Sequence, residues 1–291
     1  MAAGASTASP PVLTPGSNQI ASMEVWTDTV DGGTYQKQEF IPRIDEIKRP
    51  YAKAHIRKYA RMSAVALAST SPGTGLTYQD PKGIEVTLTP AGVYVATAFS
   101  ANEDANSDIP FDSDLANESE RAMAEANDET VLLNVVSLTE FRGNNVDDAN
   151  AALIRNAMAL LTENTNGMVV PGETTVYALL DSSQYGPAMS IPEFTNAQMR
   201  GDSANPNVTG RWIKGGGVTL AFSTVVAVDG NGANGVMWIP SAFAIGWNKR
   251  TQVKHQEIEL QNRVILYNNF GSTVKHNLRA VALRTGSTIP V

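Results

Sequence analysis

The chain contains no cysteine. That excludes disulfide staples, thiolate metal sites and a cysteine nucleophile, and it agrees with a reducing compartment. Histidine is scarce: His55, His255 and His276 are the only three. None stands at helical ligand spacing from another histidine or a carboxylate in a helical context, so no metal constellation is legible. His255 and Glu257 fall two apart in a strand-like stretch, which reads as a solvated sheet surface. No apolar run approaches the length of a membrane span. The start has no basic region followed by an apolar one, so no secretory signal is expected. Nor is there an excess of positive charge: 22 Lys and Arg face 29 Asp and Glu, a net charge of −7. A protein that grips nucleic acid by counterion release needs the opposite balance. The locally basic stretch Arg43–Arg61 reads as a solvated or subunit-facing arm.

With 291 residues, 42% of them apolar and 18% charged, the chain can bury a sizeable core as one large or two modest domains. Its first part does not contribute to that core in any obvious way. "TASPPVLTPGSN" (Thr7–Asn18) is proline-rich and almost without large apolar side chains. Up to about residue 56 no helical or strand period is sustained, and Pro42 and Pro50 interrupt what pattern exists. A long hairpin is expected next. "ARMSAVALAST" forms one β-leaning run and Gly83–Ser100 the other. The long connection between them ends in Asp80-Pro81-Lys82-Gly83, which suits a type I turn.

After an acidic break the pattern predicts a helix from about Ser113 to Leu138, capped by Asp112 and with Asp114 favouring the positive end of its dipole. Leu115, Ala122, Ala126 and Leu133 would make its apolar stripe, while Glu118, Arg121 and Glu125 can pair on another face. A second helix is expected from Asp148 to Asn164. Asp147 would cap it, Leu153, Ala157, Leu160 and Leu161 would face inward, and Asn166-Gly167 would end it. "ETTVYALLD" then reads as a buried strand and "MSIPEFTNAQMRGDSANPNV" as loop. "GRWIKGGGVTLAFSTVVAVDG" reads as two strands about a glycine turn, and "GVMWIPSAFAIGW" as a strand pair or a strand and short turn. "EIELQNRVILYNN" and "NLRAVALR" close the chain as strands separated by "FGSTVK". The order β, α, α, then mostly β, without βαβ alternation, indicates an α+β fold.

Chemical motifs are weak. Gly230, Gly232 and Gly235 match G-x-G-x-x-G, but "VMWIPSAF" follows where a phosphate-binding helix N-terminus is required. Asp229, Asn231 and Asn234 suggest calcium, yet the twelfth position of such a loop is Pro240 rather than a carboxylate. Carboxylate pairs such as Asp147-Asp148 and Asp128-Glu129 are explained by capping and solubility. No cofactor, metal or catalytic residue is assigned.

Four stretches, in order, carry a resemblance: "AEANDETVLLNVVSL", "ANAALIRNAMALLTENTNGMVVPGETTVYALLD", "NVTGRWIKGGGVTLAFSTVV" and "RVILYNNFGSTVKHNLRAVALR". They resemble, respectively, the end of the spine helix, the apical helix and strand, the glycine hairpin and the closing strands of tailed-bacteriophage major capsid proteins, the Hong Kong 97-like fold. The likeness spans roughly Arg57 to Leu283. It implies an N-terminal arm (1–56), an extended loop (57–100), a peripheral domain with the spine helix (101–146) and closing strands (246–291), and an axial domain (147–245). It further implies a non-enzymatic shell protein that self-assembles into pentamers and hexamers around double-stranded DNA. Scaffolding, portal and decoration proteins are its implied companions, the packaged DNA is held non-specifically, and no membrane is involved. Its place would be the virion, assembled in the bacterial host cytoplasm. Tyr78, Asp80, Lys82, Arg121 and Glu125 become the expected intersubunit contacts. Some capsids of this fold join subunits by a Lys–Asn bond, for which Lys82 and Asn268 or Asn269 are the candidates. Two alternatives stand beside this reading: an encapsulin-type compartment shell, and an α+β enzyme or carbohydrate-binding module with a dispersed site.

Overall fold

The computed structural model describes residues 38–47, 54–59, 83–100, 111–170, 173–195, 212–229, 232–258 and 261–286. In chain order the elements begin with β1 (Asp45–Glu46), β2 (Ala54–Tyr59), β3 (Gly83–Leu88) and β4 (Ala91–Ser100). Then come α1 (Phe111–Leu132), β5 (Phe141–Gly143), α2 (Ala151–Asn164), β6 (Val176–Asp181), α3 (Tyr185–Met189) and α4 (Pro192–Thr195). The rest are β7 (Ile213–Gly215), β8 (Val218–Ser223), β9 (Val228–Asp229), β10 (Gly232–Trp238), β11 (Phe243–Ile258), β12 (Gln261–Val274) and β13 (Ala280–Thr285).

Strand β10 is uncharged and buried along its whole length, as a strand covered on both faces must be. It lies in a seven-stranded sheet of order β5-β13-β10-β6-β8-β7, with β9 folded back on β10. The β6–β8 and β13–β5 pairs are parallel and the others antiparallel. Alternate side chains feed two separate cores. Ala178, Leu180, Met237, Val281 and Leu283 face α2, α3 and α4. Leu179, Val236, Trp238, Ala280 and Ala282 face the opposite way, onto Phe40, Ile41, Ile44 and the end of α1. Gly235 is required by this closeness: a Cβ there would stand 2.6 Å from the Leu179 carbonyl oxygen.

A second sheet, of order β1-β11-β12-β4, is built on the long β11–β12 hairpin. Its inner face packs on α1 through Met123, Val264 and Leu266, with Val93, Val95 and Val253 at the margin. Strands β2 and β3 form a separate two-stranded ribbon. Its root is Leu88, which is buried and lies close to Gly246.

The glycine turn appears as expected, with Gly216 and Gly217 at φ 58° and 80° between β7 and β8. Other expectations need correction. Gly83–Ser100 is two strands in different sheets, and the expected strand "ARMSAVALAST" lies outside the described residues. Of the two readings of "GVMWIPSAFAIGW", the strand pair fails, since β10 and β11 belong to different sheets, and the strand followed by a short turn holds, with a 3₁₀ turn at Pro240–Ala242 before β11 begins. "FGSTV" is no connector but the end of β12. Within the expected loop after Met189, Pro192–Thr195 is one helical turn.

Helix α2 is capped by Asn150, whose side chain accepts from the Leu153 amide at 2.9 Å; Asp147 does not cap it. The reason lies upstream. Asn144 captures the Val146 and Asp147 amides in a turn, and Gln184 captures the Ala149 amide, so the helix does not begin before residue 150. Helix α1 tightens to a 3₁₀ turn over Leu133–Ser137, where β-branched Val135 and Val136 disfavour a further α-turn. Its buried face is Ser119, Glu120, Met123, Ala124, Asn127, Asp128, Val131 and Leu132. The expected stripe is wrong: Ala122 and Leu133 are exposed, and Ala126 is half-buried. Half of the true face is polar, so an apolar period could not reveal it.

Candidate functional site

The polar face of α1 has one dominant contact. Asp128, buried to 3% exposure, accepts hydrogen bonds from three consecutive backbone amides, those of Glu39, Phe40 and Ile41. The distances are 2.6, 3.2 and 3.2 Å. Three amides presented in sequence make a nest for a carboxylate. The residues downstream then lock into the body. The Phe40 ring lies 4.6 Å from Trp238 and 5.2 Å from Phe243. Trp238 Nε1 donates to the Arg43 carbonyl at 3.1 Å, and the Arg43 guanidinium stacks 3.8 Å from the Trp212 ring centroid. Strand β1 adds parallel pairing to β11, and both its acids are bridged: Asp45 to Lys275 and Glu46 to Arg250, each at 2.8 Å. Residues 38–47 are therefore a buckle, fastened by a buried carboxylate, an aromatic cluster and two ion pairs.

Burial pushes the Asp128 carboxyl up to about 6. The three amides pull it down, and the nearby Glu39 carboxylate pushes it further up. Desolvation wins, because taking a charge out of water costs more than neutral donors return. The sequence reading of Asp128 as a solubilising residue is thus corrected. Its signal was an acid three and four residues before Val131 and Leu132, on the helix face that those apolar residues occupy.

Of the expected contact residues, Tyr78, Asp80 and Lys82 lie outside the described residues. Arg121 and Glu125 are brought together, but with each other, as an exposed i,i+4 pair at 3.0 Å. Asn268 is buried and donates to Asn127 Oδ1 at 2.8 Å and towards the Met123 sulfur at 3.4 Å. A concavity of about 780 Å³ lies between α2 and α4, lined by Ile154, Met158, Ile191 and Phe194 among others. The Arg155–Glu193 ion pair lies at its margin. These side chains supply an apolar cleft and no paired nucleophile and base. Of the G-x-G-x-x-G glycines, Gly232 and Gly235 lie in strand β10 and not at a helix N-terminus, and Gly230 lies outside the described residues.

Two features thus stand out: a leading segment buckled to the helix by its backbone, and a β2–β3 ribbon that pairs with no other described strand. Solved structures supply the context. The chain is similar to one in the head of Helicobacter pylori bacteriophage KHP40, with a TM-score of 0.62 at 11% identity, covering 84% of this chain and 87% of that one. It is likewise similar to the capsid chain of cyanophage P-SCSP1u, with a TM-score of 0.58 at 14% identity over 86% and 89% of the two chains. The chain has the Hong Kong 97-like capsid fold. A virus-like particle from Pyrococcus furiosus shares this fold, with a TM-score of 0.60 at 8% identity over 90% and 99% of the chains. No family model matches the sequence, and no curated protein is significantly similar to it.

Proposed function

We propose that the chain is the major capsid protein of a tailed bacteriophage, self-assembling into hexamers and pentamers of an icosahedral shell around double-stranded DNA. The observation that carries this reading is the near end-to-end fold likeness to phage head proteins, together with a β2–β3 ribbon that pairs with no other described strand. The resemblance assigns residues 57–100 to a loop over a neighbouring subunit; in this reading only the part between β2 and β3 reaches out, while Leu88 and β4 stay in their own subunit's body. Residues 101–146 and 246–291 form the peripheral domain, and 147–245 the axial one. β13 carries the end of the peripheral part into the sheet shared with the axial part. Residues 1–37 run across adjacent copies, with the buckle marking where the arm leaves its own subunit. Tyr78, Asp80 and Lys82 at the loop tip, and the Arg121–Glu125 pair, act at intersubunit contacts. The role is structural and non-enzymatic, located in the virion after assembly in the host cytoplasm. Scaffolding, portal and decoration proteins are the expected companions. Many modest contacts add through multivalency, so no single interface has to be strong.

The alternative reading, an encapsulin-type compartment shell, is less favoured, because phage capsids and heads predominate among the similar structures beside the virus-like particle from Pyrococcus furiosus. One experiment addresses both. The purified chain is examined by size-exclusion chromatography and electron microscopy, and particles from phage-infected host cells are assayed for nucleic acid and for protein cargo. Closed shells with DNA support the capsid reading, and shells filled with protein support the compartment. A stable 31.0 kDa monomer overturns both.

A further inference from the structure

Strand β4 is ten residues long and hydrogen-bonded on one side to β12 from Ala91 to Ser100. Among the described residues, no strand and no backbone hydrogen bond occupies its other edge. Natural edge strands are usually guarded by charge, proline or shortness, because unpaired amides and carbonyls are a template for another strand. This one has no guard: "AGVYVATAFS" carries no charged residue and no proline. Its solvent face is Gly92, Tyr94, Ala96 and Ala98, all exposed. Tyr94 sits in mid-strand opposite Tyr267, yet is 73% exposed, because nothing flanks it on the free side. On a sheet, that open position is where a cross-strand neighbour belongs.

Resting on the shell reading above, we infer that the free edge of β4 pairs antiparallel with β4 of a second copy across a two-fold axis. An antiparallel strand edge is self-complementary, which is what an isologous contact between identical subunits requires. Charge selects the direction. The residues after β4 are acidic, with Glu103, Asp104 and Asp108 within eight positions of Ser100. Antiparallel pairing sends these two runs to opposite ends of the joined sheet, whereas parallel pairing would set them side by side. With no charge inside the strand, nothing repels at the contact itself. Small residues on either side of Tyr94 leave room for the partner's tyrosine. A two-fold axis perpendicular to the sheet keeps the face packed on α1 on the same side in both copies. Residues of equal parity then meet, and pairing over most of the strand centres the axis on Tyr94, Val95 or Ala96. The joined area is small for a stable dimer, which generally needs roughly 1,200 Å² or more, so the contact serves as one among several in a shell.

The absence of native cysteine makes the test clean. Y94C, V95C and A96C are made singly in the full chain, assembled, and treated with a mild oxidant or a short bismaleimide. One of the three is expected to give mostly covalent dimer on a non-reducing gel, mapped by mass spectrometry to β4 joined with β4. M168C, on the exposed Met168 of another region, gives none. A second variant, A96K, sets like charges across the axis; it is expected to retain native circular dichroism and lower particle yield at least tenfold. Particles that form without any of the three cross-links overturn the pairing and leave the shell reading standing, as does a cross-link mapped to a different segment. A96K particles at wild-type yield overturn it too. Monomers that never associate overturn both.

Discussion

Asp128 is the residue on which the leading segment hangs, and its chemistry sets two expectations. Asp128→Ala removes the acceptor for three buried amides. Leaving such groups unpaired costs about 1–3 kcal/mol each before water relieves part of it, so a loss of roughly 3 kcal/mol or more is expected in urea unfolding. Asp128→Asn keeps one acceptor and should lose less. The pH dependence follows from the direction of the shift. The folded carboxyl titrates near about 6, above its ordinary 3.8, so the native state binds this proton more readily than the unfolded chain. The contribution of Asp128 is therefore fully present below the unfolded value and is lost as pH rises through the folded one. The stability difference, wild type minus Asp128→Asn, should grow by up to about 3 kcal/mol as pH falls from 7.5 to 4. A flat difference would show that burial does not control this carboxyl.

At the scale of elements, packing decides which substitutions matter. Gly235→Ala drives a methyl into the Leu179 carbonyl in the middle of the seven-stranded sheet and should cost roughly 2–4 kcal/mol or abolish soluble expression. Gly246→Ala meets only the movable end of Leu88 at 3.4 Å, and its unfolding midpoint should barely change. Equal effects at both positions would contradict the close approach seen at β10. The same packing explains what the sequence could disclose. β6, the β7–β8 turn and the end of α2 were legible because their signals are local: an apolar run, paired glycines, Asn166-Gly167 at positive φ. The capping of α2 was not, since Asn150 is chosen only after Asn144 and Gln184 have claimed the amides before it. The buried face of α1 was hidden by its own polarity, for Asn127 and Asp128 are buried against partners 141 and about 88 residues away in sequence. The split of Gly83–Ser100 between two sheets is a tertiary fact as well. Its only local sign is Pro90 between β3 and β4, which interrupts the backbone donors.

For the whole molecule, the buckle fastens residues 38–47 to the body, and the proposed shell reading gives residues 1–37 to contacts between copies. Phe40, Ile41 and Ile44 are buried in the same core as Trp238 and Phe243, so residues 38–47 are structural members of the body despite their broken sequence pattern. Removing residues 1–37 should leave the subunit's unfolding midpoint within about 0.5 kcal/mol of the full chain, the usual range for changes away from packed features. Particles should nonetheless become fragile, because contacts between copies are lost while the fold is kept. Removing residues 1–47 takes away three buried side chains and the partners of Asp128, Lys275 and Arg250 together. Burial of a large apolar side chain is worth about 1.5–3 kcal/mol, so this loss rivals the whole stability of an ordinary domain. The longer deletion should therefore yield insoluble or unfolded chain, and the step in behaviour between the two should be abrupt. Circular dichroism with urea melts of both truncations, beside electron microscopy of their particles, reads the two effects separately. A gradual loss of folding as the leading residues are trimmed would mean that the subunit and the arm are not divided at the buckle.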